Sequence, residues 1–312
     1  MEVYTSIDQV PPGRYQCPVL TIGNFDGVHL GHRRVFERLL ASADETGSPA
    51  LCLSFDPHPL KVLGRRDLKL LISREEKIQV IRSLGVNGLI LHPFDMDFAA
   101  LEPQRFVEQV LLEKLGIRKL VVGYDYAFGR NRAGDHHFFR HLRQQGLLDV
   151  EIVEPVSVDG TIVSSSLIRQ LVQDGDMSAV ARYLGRPYCL SGTVVEGDMR
   201  GKKIGFPTAN LAYIQEILPP TGVYATVARV GNKSFVALTN IGYNPTFVER
   251  RVVSVETHIL DFSRNLYGFP LELLFLERIR GEVKFASAQD LIAQIHKDIE
   301  HTRQRIDSHK HP

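Results

Sequence analysis

The chain has 312 residues, 44% of them hydrophobic and 23% charged, with a net charge of +1. One hydrophobic core stops growing near roughly 250 residues, so this length implies two domains. The near-zero charge lacks the footprint of a nucleic-acid or membrane-surface binder, and three cysteines without a CxxC spacing exclude a zinc knuckle or a redox pair.

Apolar runs at 17–22, 50–55, 88–92, 118–123 and 150–153 predict buried strands. Helical spacing fills the stretches between them. Within 30–45, Val35, Phe36, Leu39, Leu40 and Ala43 recur at intervals of three and four. Ser73 and Glu76 form a capping box at the start of the next helix, and Pro103 suits the first turn of another. Strand alternating with helix predicts an N-terminal α/β Rossmann-like domain, a parallel sheet covered on both faces. After Tyr183-Leu184-Gly185-Arg186-Pro187 the rhythm changes. Short β-like runs follow at 188–195, 222–230, 234–241, 252–260 and 270–277, with Gly231-Asn232 as a hairpin turn. They predict a C-terminal antiparallel β-barrel. A closing helix over 287–306 carries Leu291, Ile292, Ile295 and Ile299 on one face, capped by Ser287. The expected domains are 1–186 and 187–312.

Ligands of open parallel sheets bind beyond the carboxyl ends of the strands. Four unusual segments follow apolar runs and are expected to meet at that rim: GNFDGVHLGH (23–32), FDPHP (55–59), GYDYAFG (123–129) and VSSSLIR (163–169). A helix starting near Val28 would turn free N–H groups and a positive dipole end toward an anion. Gly27 and Gly31 would let a nucleotide approach the backbone. His29 and His32 would share one face of the first turn, where imidazoles can donate to phosphate oxygens. Asp26 could bind a metal through water or brace the turn by an Asx-type hydrogen bond, and the brace is the preferred reading. The serine run reads either as a phosphate site or as a helix cap, and no GxSxG elbow supports a nucleophile. His136, His137 and His141 lack a third strong ligand nearby, and Phe138 and Phe139 read as core.

The HxGH element resembles that of the adenylyl-transferring nucleotidyltransferases. The longer string G-x-F-D-G-x-H-x-G-H is similar to the N-terminal domain of the prokaryotic bifunctional riboflavin kinase/FAD synthetases. Phe55-Asp56-Pro57-His58-Pro59 matches that family's FxPHP. Residues 123–129 resemble its G-x-[ND]-F-x-F-G with Tyr126 in place of phenylalanine, and 164–169 its SSTxIR with Ser166 in place of threonine. The resemblance implies that FMN's phosphate attacks the α-phosphorus of ATP. His29 and His32 would stabilise the transition state, and Ser164, Ser165, Ser166 and Arg169 would hold the β/γ phosphates. Gly23, Phe25 and Gly31 would border ATP. His58, Asp125 and Tyr126 would lie on the flavin side, although His58 could equally order its own turn, and Tyr124 and Tyr126 could stack on flavin or pack internally.

In the second half, GTVVEGDMRGKKIGFPTANL (192–211) departs from a Walker A loop in spacing and in lacking its Ser or Thr. It resembles the riboflavin kinase signature G-x-V-x-x-G-x-x-R-G-R-x-L-G-F-P-T-A-N, with Lys202 in place of arginine and Ile204 in place of leucine. Gly222-Val223-Tyr224-Ala225, Asn240-Ile241-Gly242 with Pro245-Thr246-Phe247, and 255–262 continue the match. By resemblance Glu256 is the general base, Thr208 and Asn210 bind Mg²⁺ and ATP, and Lys202 is a phosphate-side point charge. A basic surface loop and an exposed strand glutamate are the plainer readings of those residues. The expectation is a cytoplasmic enzyme that takes riboflavin, FMN and ATP, with Mg²⁺ as cofactor. Neither nucleic acid nor membrane is an expected partner, and any self-association is expected to be weak. The alternatives are an adenylyltransferase for another acceptor and a non-catalytic flavin-binding protein.

Overall fold

Strands whose two faces are both apolar must be covered on both sides, and the five runs obey this. The computed structural model of the chain describes residues 1–197, 201, 204–243 and 253–310, with side chains through 306. It divides into two compact units, Met1–Ser165 and Ser166–Pro312.

In the first unit, β1 (Glu2–Tyr4), β2 (Val19–Ile22), β3 (Ala50–Phe55), β4 (Gly88–His92), β5 (Lys119–Gly123) and β6 (Asp149–Val153) form one sheet. Its order is β1-β4-β3-β2-β5-β6, and every pairing is parallel. Alternate residues feed opposite cores. Leu20, Leu51, Leu53 and Leu120 join one, and Val19, Cys52, Leu89 and Val121 the other. The first strand had no apolar signature in the sequence. It is placed by its pairing with Gly88–Ile90 and by Glu2, which accepts hydrogen bonds from Arg14, Tyr4 and Tyr15.

Helix α1 (Leu30–Thr46) buries Val35, Phe36, Leu39 and Ala43 and ends at the left-handed Gly47. It is fastened to the sheet by Glu151 of β6, which takes Arg38 Nε at 2.5 Å and Lys119 Nζ at 2.6 Å. Burial pushes the Glu151 carboxyl up, but the bonds from Arg38 and Lys119 outweigh it and hold the group at about 2. The remaining helices of the unit are α2 (Pro59–Val62), α3 (Arg74–Ser83), α4 (Met96–Ala99), α5 (Pro103–Arg105) and α6 (His136–Gln144). Ser73 caps α3 by accepting from Glu76 N–H at 3.1 Å, and Pro103 opens α5, which runs on as a π-helix over Phe106–Lys114. A small hairpin, β7 (Ser157–Val158) with β8 (Thr161–Ile162), precedes α7 (Ser165–Asp174).

The unit boundary falls in the first turn of α7, so α7 and α8 (Met177–Leu184) are counted with the second unit, ahead of the expected junction at 186–187. Ser178 of α8 donates to the carbonyl of Leu276 at 3.4 Å. The barrel is closed in the order β10-β13-β12-β11-β14-β9. Its strands are β9 (Tyr188–Val195), β10 (Ala209–Tyr213), β11 (Gly222–Val230), β12 (Lys233–Tyr243), β13 (Val253–Ile259) and β14 (Pro270–Arg280). Strand β10 has no signature of its own in the sequence, because its first three residues, Ala209-Asn210-Leu211, close the phosphate-like string 192–211. At Gly192 a Cβ would stand 2.1 Å from the Ala212 carbonyl oxygen, so β9 and β10 can cross this closely only with glycine there. The last helix, α9 (Ala288–Lys310), starts where expected, with Ser287 Oγ accepting from Asp290 N–H at 3.1 Å.

Three fully buried threonines tie β11, β12 and β13. Thr226 and Thr239 hydroxyls lie 2.7 Å apart, and Thr239 donates to Thr257 at 3.0 Å. Thr239→Val keeps the shape and removes both contacts, while Thr226 keeps its bond to the Ala237 carbonyl at 3.0 Å and Thr257 its bond to the Leu238 carbonyl at 3.5 Å. It is expected to lower stability by about 0.5–1.5 kcal/mol, read as a denaturant midpoint shift at unchanged m.

Candidate active sites

The turn after β2 is strained. Phe25, Gly27 and Val28 take φ values of 48°, 83° and 43°, and a β-branched residue there is an outlier. Burial of Val28 and the hydrogen bonds of Asp26 hold it. Asp26 Oδ1 accepts from Leu71 N–H at 2.9 Å, and its carbonyl accepts from Ser165 Oγ at 2.9 Å. The expected structural role of Asp26 therefore has a visible mechanism.

Helix α1 begins at Leu30, not near Val28, because His29 is its N-cap. His29 Nδ1 accepts from His32 N–H at 3.3 Å, which leaves the ring proton on Nε2. The two imidazoles stack with centroids 3.6 Å apart and 16° between planes. A Cβ on Gly31 would press to 3.2 Å on the His29 ring, so this glycine makes room for an imidazole. Phe25 folds back under Gly23, where a Cβ would meet its ring at 2.8 Å. That ring is buried, edge-on to His32 at 5.3 Å, so any contact of Phe25 with ATP falls to its backbone. Burial first, then the neighbouring His29 and Lys77, lowers the His32 pKa well below the usual histidine value, so His32 is neutral at pH 7.

Ser165 reaches this turn through the bond to Asp26, and the carbonyl of Val163 stands 3.7 Å from the Cβ position of Gly31. Ser164 immediately precedes α7, and Ser166 and Arg169 follow in it, counted with the second unit. His58 caps α2, its Nδ1 accepting from Leu60 N–H at 3.1 Å, so it orders its own turn. It also lines a cleft with Asp56, Arg74 and Lys77. Asp125 is exposed, and its carbonyl accepts from Arg132 at 3.2 Å. Tyr126 packs internally, in near-parallel stacks with Phe128 (5.9 Å) and Phe139 (6.2 Å), whereas Tyr124 is 44% exposed. Phe139 is core as expected.

Lys77 was not singled out in the sequence, where it reads as one charge in the run Arg74-Glu75-Glu76-Lys77. The available signal was its position four residues before Ile81, on the face that α3 buries. It is 8% exposed, and its Nζ donates to the Asn24 carbonyl at 2.9 Å.

In the second unit, cross-strand register builds the site. Glu256 of β13 faces Asn210 of β10 and Asn240 of β12 directly, so the three side chains share one face. Thr208 Oγ1 donates to Glu256 Oε2 at 3.3 Å. The Asn210 side chain occupies the space above Gly197, where a Cβ would stand 2.0 Å from its Nδ2. His258 Nδ1 lies 2.8 Å from the Pro207 carbonyl. A carbonyl only accepts, so His258 donates and ties β13 to the segment before Thr208. In the sequence Asn240 stands only within the motif Asn240-Ile241-Gly242, and its place beside Glu256 follows from barrel register. Lys202, with Arg200, Lys203 and Pro245-Thr246-Phe247, lies outside the described residues.

Residues 14–167 match the FAD synthetase family model and residues 184–306 the riboflavin kinase model. The bifunctional riboflavin kinase/FMN adenylyltransferase of Listeria monocytogenes is 37% identical over 288 residues, 91% of each chain. Those of Bacillus subtilis and Escherichia coli are 38% and 36% identical, over 90% and 96% of each chain. A crystal structure described as a macrolide-efflux protein from Streptococcus pneumoniae superposes with a TM-score of 0.88 at 30% identity, covering 96% of this chain and 98% of that one. That likeness is one of fold, and among the described residues no helix is long and apolar enough to cross a membrane. With an FAD synthetase segment followed by a riboflavin kinase segment, and relatives alike over nine-tenths of its length, the chain belongs to the family of bifunctional riboflavin kinase/FMN adenylyltransferases.

Proposed function

We propose that the barrel phosphorylates riboflavin with ATP to give FMN, and that the α/β unit transfers AMP from ATP to FMN to give FAD and pyrophosphate. In the first reaction the ribityl 5′-hydroxyl attacks the γ-phosphorus, its proton passes to Glu256, and ADP leaves. In the second an FMN phosphate oxygen attacks the α-phosphorus, and the bond to pyrophosphate breaks. His29 and His32 hold the α-phosphate oxygens as charge builds. Ser164, Ser165, Ser166 and Arg169 take the β/γ phosphates. Asp125 belongs to the flavin side, as does His58, which lines its cleft. Positioning and charge neutralisation carry most of this chemistry.

The donors around Glu256 fit Mg²⁺. The Thr208 hydroxyl and the Asn210 amide oxygen are hard ligands. No group of three His, Cys, Asp or Glu side chains forms a metal cage among the described residues, as suits an ion that shares its shell with phosphates and water. Bound there, the ion would neutralise phosphate charge. The expected domain limits of 1–186 and 187–312 remain the functional division of this reading. Sparse cysteines, with Cys17 and Cys52 in no disulfide, suit the cytoplasm.

The observation that carries the reading is the pairing, within one chain, of a stacked histidine cap at a parallel-sheet rim with the Thr208–Glu256 contact on a barrel wall. Purified protein given riboflavin, ATP and Mg²⁺ is expected to yield FMN and then FAD by chromatography. Absence of both overturns it.

A further inference from the structure

Lysine is almost never buried without a partner, because its ammonium loses hydration that a single neutral hydrogen bond does not replace. Lys77 is such a case. Its one hydrogen bond is to the carbonyl of Asn24, and no ion pair neutralises it among the described residues. Asp26, Asp56 and the Cys52 thiol act on it only as neighbouring charges or potential charges, and burial outweighs them in lowering its pKa. A well-packed apolar residue would serve α3 better, so packing does not explain why a cation stands there.

Its place does. Asn24 is the residue between Gly23 and the left-handed Phe25. Its carbonyl takes Lys77 Nζ at 2.9 Å and Ser54 Oγ at 3.3 Å. Those two donors reach the turn from α3 and from β3. Beyond Asn24 the chain passes through the strained Phe25–Val28 segment into the His29 cap. Lys77 is also close enough to His32 for its charge to favour the neutral ring.

We propose that Lys77 is a positioning residue for adenylyl transfer, holding the Asn24 carbonyl so that the strained turn presents His29 and His32 to the nucleotide in one fixed arrangement. This rests on the histidine roles given above. The test is Lys77→Met, which keeps volume and removes charge and donor. The expected result is a fall of roughly 100-fold in kcat for FAD formation from supplied FMN, with KM for FMN changed by less than about 3-fold. FMN formation by the barrel stays at the parent rate, and Tm is not lowered, since a buried ammonium has gone and the Asn24 carbonyl keeps its bond from Ser54 Oγ. A lysine that merely supported the fold would move stability and activity down together. An FAD-forming kcat within about 3-fold of the parent, or a loss of kcat accompanied by a lower Tm or by unfolding of the first unit, overturns the proposal. His29→Ala, assayed alongside, separates the two failures. If it too leaves FAD formation intact, the histidine assignment is wrong. If it alone stops FAD formation, only the role of Lys77 is.

Discussion

Replacing Glu256 by alanine is expected to stop FMN formation while leaving the conversion of supplied FMN to FAD at the parent rate. Loss of a general base costs about 10²–10⁴-fold. Glu256 is well placed for the role, on a barrel strand fixed on both sides, with its carboxylate meeting the Thr208 hydroxyl at 3.3 Å and the amides of Asn210 and Asn240 opposite. The change is cheap for the fold. Glu256 is only partly buried, whereas its neighbours Val255 and Thr257 carry the packing and the threonine chain. Riboflavin, ATP and Mg²⁺ with this variant should therefore give no FMN, and FMN with ATP should give FAD. If FMN formation survives, Glu256 is not the base. If both reactions disappear in folded protein, the division of labour between the units is wrong.

The sequence revealed what depends on local pattern. Five apolar runs became five strands because a strand buried on both faces must be apolar throughout, and Ser73 and Ser287 cap helices because a short oxygen-bearing side chain can reach the next turn's N–H. It hid what depends on register and depth. Strand β1 carries no apolar signature and exists through its pairing with β4. Strand β10 was concealed inside a motif. Lys77 looks like any other charge of a solvated helix until the fold buries it. Asn240 becomes a neighbour of Glu256 only when the barrel closes. Tyr126, read as a candidate for the flavin side, packs its ring into an aromatic stack, a choice between two partners that one aromatic residue in a motif cannot display. Phe25 is the reverse case: the resemblance sets it beside ATP, yet its ring is buried in the core.

Replacing His29 by alanine is expected to lower FAD formation from FMN by about 10²–10³-fold, the usual effect of losing one donor to a transition-state oxyanion, with FMN formation from riboflavin intact. The residue does two things at once, and they must be separated. Its Nδ1 caps α1, so alanine also removes an N-cap, at a cost of about 1 kcal/mol. Its Nε2 carries the proton and is the atom able to donate to phosphate. Asparagine divides the roles, being a good N-cap residue without an imidazole. His29→Asn is thus expected to recover most of the thermal stability lost in His29→Ala but little of the activity. Gly31 supports the distinction, because its missing side chain leaves the His29 ring the space it occupies against His32. Were asparagine to restore FAD formation to within about 3-fold of the parent, the histidine would be a cap and nothing more, and the transition-state donor would have to be sought in His32, where the neutral ring still offers one N–H.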